Sequence, residues 1–405
     1  MHDGTIAAIA TAPGRGGVAV VRISGDDAFE VAELVAGKLP PPGHFAFRRL
    51  DIDDVLVLVF KAPNSYTGED VVEIQSHGGG VAPRKILDAC FAAGARIARR
   101  GEFTERAFLN GKMDLSEAES VIELVDAKTD RAAKDARERL SGETRRTYND
   151  IYREVLEAGA DLEHSLDVDE TDLPPDFLAK ISARLTAAKK RIDTILARSH
   201  EGRILREGAL VVLAGEPNAG KSSLMNALLG TNRVIVSDIP GTTRDSIEEY
   251  LDLGGYPVRL VDTAGLRDTV DAVESEGIRR AREFIDKADY VIDLSPSGNV
   301  HTKCDLEREP GKINVSAKTG EGLDELKADI VRAISPLAAA EPTPSERESS
   351  LLSAAAKYLE DADKSDIVLL AGNVRQAGQA LAQLTGEVYS DDLLSSIFSR
   401  FCVGK

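Results

Sequence analysis

The sequence predicts a multidomain α/β protein: an N-terminal α+β domain, a helical domain in two pieces, and a phosphate-loop domain inserted between them. Three observations predict it. A strand-like run, Ala209–Ala214, leads into Gly215-Glu-Pro-Asn-Ala-Gly-Lys-Ser-Ser223 and then into a helical stretch over 223–229. Apolar residues recur at spacings of three and four on both sides of that segment, over 115–206 and again over 345–405. Residues 5–112 instead alternate short apolar runs with glycine turns. A chain of 405 residues suits two or three domains, and the expected boundaries are 1–114, 115–207, 208–335 and 336–405.

Each element follows from local pattern. Residues 5–10 and 18–23 read as strands joined by Pro13-Gly-Arg-Gly-Gly17, and 26–37 as a helix. Leu39-Pro-Pro-Pro-Gly43 breaks the pattern. Residues 55–60 and 71–75 are apolar strands, and His77-Gly-Gly-Gly80 is a turn before a helix over 81–93. HGGG serves as an oxyanion loop in esterases, but no GxSxG accompanies it, so the turn reading stands. Thr171-Asp-Leu-Pro-Pro175 separates two long helices. Ser335-Pro336 and Glu341-Pro-Thr-Pro344 form a linker into the last helical piece. Neither helical piece covers its apolar face alone, so the two are expected to pack together.

Composition excludes several classes. Charged residues make up 29% and apolar ones 42%, as in a soluble globular protein. No apolar run approaches the ~20 residues of a membrane span. The first residues lack a basic n-region, so no signal peptide is expected. Cys90, Cys304 and Cys402 are scattered, which supports neither a disulfide framework nor a zinc site; a cytoplasmic protein is expected. The net charge of −18 argues against a nucleic-acid binder over its whole surface. Arg96, Arg99, Arg100, Arg106 and Lys112 cluster, diluted by Glu102 and Glu105; a local basic face and a solvated mixed-charge face both stay open. Cys402 has the spacing of a prenylated cysteine, but Gly404 and Lys405 do not fit that code, and spacing favours packing of the tail.

The chemistry is concentrated after residue 208. GxxxxGK[ST] between a strand and a helix cradles phosphate on backbone N–H groups. Lys221 would reach the β- and γ-phosphates, and Ser222 would hold Mg²⁺. Thr243, in Gly241-Thr-Thr-Arg-Asp245, is a second hydroxyl for Mg²⁺, and Asp262-Thr-Ala-Gly265 is the DxxG pattern. Thr302-Lys-Cys-Asp305 and Ser316-Ala-Lys318 follow in order. A carboxylate at Asp305 accepts from N1–H and the 2-amino group of guanine, which adenine lacks, so it selects GTP. The nucleotide is therefore expected on Asn218, Ala219, Gly220, Lys221, Ser222 and Ser223, then Ser237, Asp238, Ile239, Pro240, Gly241, Thr242 and Thr243. Asp262, Thr263, Ala264 and Gly265 come next, and Thr302, Lys303, Asp305, Ser316, Ala317 and Lys318 surround the base. In Ras-like GTPase domains the residue after DxxG orients the attacking water; here it is Leu266, which cannot. Glu274 is the best-placed carboxylate to do so, and a surface helix glutamate is its other reading.

These boxes, together with Pro13-Gly-Arg-Gly-Gly17, Asn64-Ser-Tyr-Thr-Gly-Glu-Asp70, Gly101-Glu-Phe-Thr-Glu-Arg-Ala-Phe-Leu-Asn110 and the ending Phe401-Cys-Val-Gly-Lys405, resemble the MnmE (TrmE) family of tRNA-modification GTPases nearly end to end. The resemblance implies a K⁺-activated GTPase that forms a homodimer. Asn218, Ser237, Ile239 and Thr242 would hold K⁺ where other GTPases use an arginine finger, and Glu274 and Lys221 would be catalytic. It also implies an N-terminal domain that dimerises and binds a tetrahydrofolate one-carbon donor on Arg22, Glu73, Lys112 and Lys405, with Cys402 as a further catalytic position. The family works with an FAD-dependent partner to install an aminomethyl-type group at C5 of the wobble uridine of certain tRNAs.

Two departures stand out. Thr302 occupies a place where the family usually has Asn, which removes an amide that braces the loop. Only 36 residues, 266–301, separate Gly265 from Thr302. After Tyr290–Asp293 too few remain for a helical crossover, so a trimmed GTP domain is expected, short of one helix with room for one strand fewer. A GTP-dependent RNA-binding or ribosome-assembly switch, and a folate-binding scaffold with impaired turnover, are the competing functions.

Overall fold

The structure, a computed structural model, describes residues 4–168, 173–232, 248–262, 274–335, 341–361 and 366–405. The chain forms two units, one made of residues up to Ile122 with Thr385–Lys405, the other of Glu123–Leu384.

The first unit opens with β1 (Ile6–Ile9), β2 (Val18–Ser24), α1 (Ala28–Ala36), β3 (Phe45–Arg49), β4 (Asp54–Phe60), β5 (Val71–His77), α2 (Ala82–Ala92), β6 (Arg96–Ile97), α3 (Glu102–Leu109) and α4 (Leu115–Asp126). Its sheet has the order β3-β4-β5-β2-β1-β6. All pairs are antiparallel except β1 with β6. Period-two alternation sorts the side chains. Val21, Ile23, Val57, Val59, Val72 and Ile74 bury against α1 and α2 on one face, each contributing about 1.5–3 kcal/mol of burial. Ile6 and Ala8 meet Ala98, Phe103 and Tyr66 in a separate cluster. The strand Phe45–Arg49 was not expected: its alternation is short, and both phenylalanines are exposed.

The second unit continues with α5 (Asp130–Leu140), α6 (Glu143–Leu166), α7 (Phe177–Leu196), α8 (Ser199–Glu207), β7 (Ala209–Ala214), α9 (Lys221–Asn232), β8 (Glu248–Leu253), β9 (Tyr256–Asp262), α10 (Glu274–Lys287), β10 (Tyr290–Asp293), β11 (Val300–Thr302), β12 (Ile313–Val315), α11 (Leu323–Ile334), α12 (Glu346–Glu360) and α13 (Ile367–Thr385). Apolar stripes of α6, α7, α12 and α13 close into one core around Ile151, Val155, Leu185, Leu352 and Leu381. A reciprocal cap starts α12: Ser345 accepts from Glu348 N–H while the Glu348 carboxylate accepts from Ser345 N–H.

The phosphate-loop segment lies inside that helical frame in sequence. Its sheet runs β10-β7-β9-β8, with β7 parallel to both neighbours. β7 is apolar throughout, as a strand covered on both faces must be. The connection from β10 to β11 is a six-residue loop, 294–299, with no helix, as expected of a trimmed domain. The strand is kept but displaced: β11 pairs with β12 in a two-stranded parallel sheet of its own. Asn299 occupies the outer edge of β10 instead. Its amide donates to Val291 O (3.0 Å) and its carbonyl accepts from Asp293 N–H (2.9 Å), so one side chain satisfies two alternate groups of an open edge.

The last helix, α14 (Asp391–Phe398), belongs to the first unit. Leu394, Ile397, Phe398 and Phe401 bury against Phe108, Leu115 and Ala118. The second helical piece expected over 336–405 is thus divided, with α12 and α13 in the bundle and the final residues packed with α3 and α4 of the N-terminal unit.

Candidate functional site

The phosphate loop is built at the carboxyl end of β7. Its backbone is left-handed at Gly215 (φ 139°), Asn218 (φ 65°) and Gly220 (φ 94°), which curls the chain before α9 begins at Lys221. Lys221 is buried, and its Nζ donates to the carbonyls of Gly215 (2.9 Å) and Glu216 (2.8 Å), folding the ammonium back over the loop. Ser222 Oγ donates to Asp262 Oδ2 at 3.1 Å. A hydroxyl and a carboxylate from separate elements therefore meet at the start of α9, a donor set of hard oxygens that fits Mg²⁺. Ser222, Ser223 and Asn218 are exposed, and Asp262 is buried.

The base box closes on this loop. Thr302 Oγ donates to Ala219 O at 2.8 Å. The expected loss of a brace at Thr302 is therefore corrected: a hydroxyl does what an amide would. Asp305 Oδ1 accepts from Ser316 Oγ (2.7 Å), which in turn accepts from Thr319 N–H (3.3 Å). The exposed Asp305 carboxylate is oriented by that chain of bonds. Lys303 turns through a left-handed backbone (φ 60°) and is exposed, as is Lys318; Ala317 is half-buried. Cys304 is buried between Lys303 and Asp305, its N–H on Val315 O (3.2 Å), and burial pushes its thiol up.

Ser237, Asp238, Ile239, Pro240, Gly241, Thr242, Thr243, Thr263, Ala264 and Gly265 lie outside the described residues. Glu274 is the first residue of α10; the placement of its side chain is also outside them. Of the four expected K⁺ ligands, Asn218 is the one described.

In the first unit, Arg22 and Glu73 face each other across β2 and β5, with Nε to Oε1 at 2.9 Å. The Arg22 guanidinium lies over the rings of Tyr66 (5.1 Å) and Phe103 (5.6 Å). Tyr66 shares a hydrogen bond with Thr104 (2.8 Å), and burial pushes its phenol above the ordinary value. Lys112 Nζ donates to Pro63 O (2.9 Å), in the same loop that carries Tyr66. Nothing in local spacing marks Tyr66 or Phe103; their signal is membership in Asn64-Ser-Tyr-Thr-Gly-Glu-Asp70 and Gly101-Glu-Phe-Thr.

The terminal residues are docked rather than loose. Arg100 pairs with Val403 in an antiparallel bridge, and Arg100 Nε donates to Phe401 O (2.8 Å). Gly404 has φ 100°, and a Cβ there would lie 2.2 Å from Ile9 O, so only glycine fits. Lys405 is thereby placed at the Ile9 end of β1, one register step from the Ala8–Arg22 pair. Cys402 is exposed, its carbonyl on Gly101 N–H (3.4 Å). The basic cluster is mostly neutralised: Arg96 and Arg106 pair with Glu102, Arg99 with Glu105 and Arg106 also with Glu69. A local basic face over 96–112 is therefore not what these arginines form.

Two family descriptions match the chain: "GTP-binding protein TrmE N-terminus" over residues 5–112 and "MnmE helical domain" over residues 115–402. The chain is 43% identical to the tRNA modification GTPase MnmE of Bordetella parapertussis over 446 positions, covering 99% of both chains. It is 40% identical to the protein of that name from Chromobacterium violaceum, covering 99% of this chain and 98% of the relative. The one from Symbiobacterium thermophilum is 40% identical, with 100% of both covered. The 446 aligned positions exceed the 405 residues of this chain by 41, so the Bordetella relative carries stretches that this chain lacks. Matched across its whole length, through both the N-terminal and the helical parts, the chain belongs to the MnmE family of tRNA-modification GTPases.

Proposed function

We propose that this protein is a GTP hydrolase acting in tRNA modification, and that its turnover depends on Mg²⁺ and K⁺. The observation that carries the reading is the bond from Thr302 to Ala219, which holds the segment proposed to read guanine against the phosphate loop. Lys221 binds the β- and γ-phosphates of GTP, and backbone N–H groups of 218–223 surround them. Ser222 and Thr243 ligate Mg²⁺, with Asp262 orienting a ligand water, and Asp305 reads guanine. Asn218, Ser237, Ile239 and Thr242 hold K⁺; when bound, it supplies positive charge beside the transferring phosphoryl group. Glu274 holds the attacking water through the residues around it, since Leu266 cannot.

The N-terminal domain binds a reduced folate carrying one carbon. Arg22 and Lys112 suit the anionic glutamate tail, Glu73 suits donors of the pterin ring, and Lys405 closes the site. Tyr66, half-buried, offers an apolar wall, with Phe103 buried behind it. Cys402 is exposed within the docked C-terminal segment and available for chemistry. The protein works as a homodimer in the cytoplasm, with an FAD-dependent partner, to install a (carboxymethyl)aminomethyl-type group at C5 of the wobble uridine. Mass spectrometry of tRNA from cells lacking the protein tests this: the modified wobble uridine disappears and returns with the wild-type gene. An unchanged nucleoside profile contradicts it.

The short loop between β10 and β11 favours a second reading, a folate-binding scaffold whose GTP domain does not cycle. Undiminished complementation by a Lys221→Ala chain would select that reading.

A further inference from the structure

β9 connects two places that are both fixed. Its last residue, Asp262, meets Ser222 at the phosphate loop. Its first residue, Tyr256, is buried among groups of the helical frame. Seven extended residues separate those ends by about 20 Å.

The Tyr256 end of the β8–β9 hairpin is tied five times. Tyr256 Oη donates to Glu201 Oε1 at 3.0 Å and shares a hydrogen bond with Ser335 Oγ at 2.9 Å. The Arg131 guanidinium lies 4.0 Å from the ring centroid and also reaches Glu201 Oε1 at 2.6 Å. Thr129 Oγ, which caps α5, donates to Gly255 O at 2.7 Å. Lys128 sits 3.8 Å above the ring of Tyr250, on the partner strand β8. Gly254 (φ 63°) and Gly255 (φ 87°) form the two-residue turn of this hairpin, the mirror-type turn that matches strand twist. Burial pushes the Tyr256 phenol up, so the hydroxyl stays protonated and remains a donor.

These groups lead in two directions. Glu201 is on α8, which runs directly into β7 and the phosphate loop. Thr129 and Arg131 are on or beside the first turn of α5, which runs through a short turn into α6 of the bundle. The geometry points to the Thr129–Arg131–Tyr256–Glu201 cluster as the tie through which the state of the nucleotide site reaches the helical bundle. A strand held at both ends cannot shift at Asp262 without moving or straining its clamp. The clamp is shared with α5, so the movement passes to α6. This inference rests on the reading of 215–223 as a GTP site.

Hydrogen exchange of the full-length chain tests it, with GDP and with a non-hydrolysable GTP analogue, each with Mg²⁺ and K⁺. In the wild type, amides over 130–166 differ in protection between the two nucleotides. Tyr256→Phe with Thr129→Val keeps the ring under Arg131 and removes four hydrogen bonds: those to Glu201, Ser335 and Gly255, and the cap from Ala132 N–H. In that variant the difference over 130–166 falls at least fivefold, while nucleotide still protects 215–224 and the affinity for GDP stays within twofold. Thr129→Ser alone keeps the wild-type pattern, which separates loss of the hydroxyl from general loosening. An undiminished difference over 130–166 in the double variant, or none in the wild type, overturns the tie. Absence of protection over 215–224 in the wild type would instead overturn the GTP reading beneath it.

Discussion

Replacing Thr302 by valine keeps shape and volume and removes one donor. The bond lost is Thr302 Oγ to Ala219 O, 2.8 Å and part-buried. A neutral hydrogen bond contributes about 1 kcal/mol net, and an orphaned carbonyl costs about 1–3 kcal/mol. Ala219 is half-buried, so water partly repairs the loss and the sum falls at about 1–2 kcal/mol. In the proposed site guanine nucleotide would engage both the phosphate loop and the base box, so binding is read against the braced arrangement. The expected result is a roughly 5- to 30-fold weaker Kd for GDP, measured by titration with a fluorescent GDP analogue. Thr302→Ser retains wild-type affinity, and Thr302→Asn restores the amide brace. Binding by Thr302→Val within twofold of wild type would refute the claim that this hydroxyl holds the base box against the phosphate loop.

Gly404→Ala places a Cβ against Ile9 O at a left-handed backbone, so the tail undocks. Reduced-folate affinity then falls about tenfold or more, with the thermal midpoint of the bundle unchanged, as isothermal titration and calorimetry would show. Arg22→Ala removes the cation paired with Glu73 and stacked on Tyr66; folate binding weakens by about 2–3 kcal/mol, while GDP affinity is untouched. Burial works to raise the Glu102 carboxyl, but the Arg96 guanidinium, the Arg99 N–H and Arg106 hold it at about 2. Its folded value lies below the unfolded one, so its stabilisation is fully present above about pH 4.5 and is lost as pH falls toward 2. That drop is up to about 3 kcal/mol. Urea unfolding between pH 6 and pH 3 should show it for the wild type and a flatter profile for Glu102→Gln.

Much of the nucleotide site was legible because its chemistry is local. Ala209–Ala214, the glycine turn and the helix after it lie in one continuous stretch, so spacing alone placed Lys221 and Ser222. The short connection after Asp293 was countable, and the missing helix followed from it. What was not legible depends on contacts distant in sequence. Thr302 was expected to weaken the pocket because its partner, Ala219, is 83 residues away. Whether the arginines of 96–106 form a basic face or a mixed-charge one stayed open in the sequence, because Glu69 and the packing around Glu102 are not visible in a linear reading. Gly404 reads as an ordinary terminal glycine until Ile9 is placed beside it. Phe45–Arg49 carries two exposed phenylalanines, and its pairing with β4 is not encoded in its own alternation.

The proposed turnover needs a working GTP site with a monovalent ion in place of an arginine finger. Steady-state GTP hydrolysis by the full-length protein, with Mg²⁺ and equal ionic strength of KCl or NaCl, measures that most directly. A rate in K⁺ at least about tenfold above that in Na⁺, abolished by Lys221→Ala and reduced by Asn218→Ala, is the predicted result. Equal rates in the two salts, or no hydrolysis in either, would contradict it.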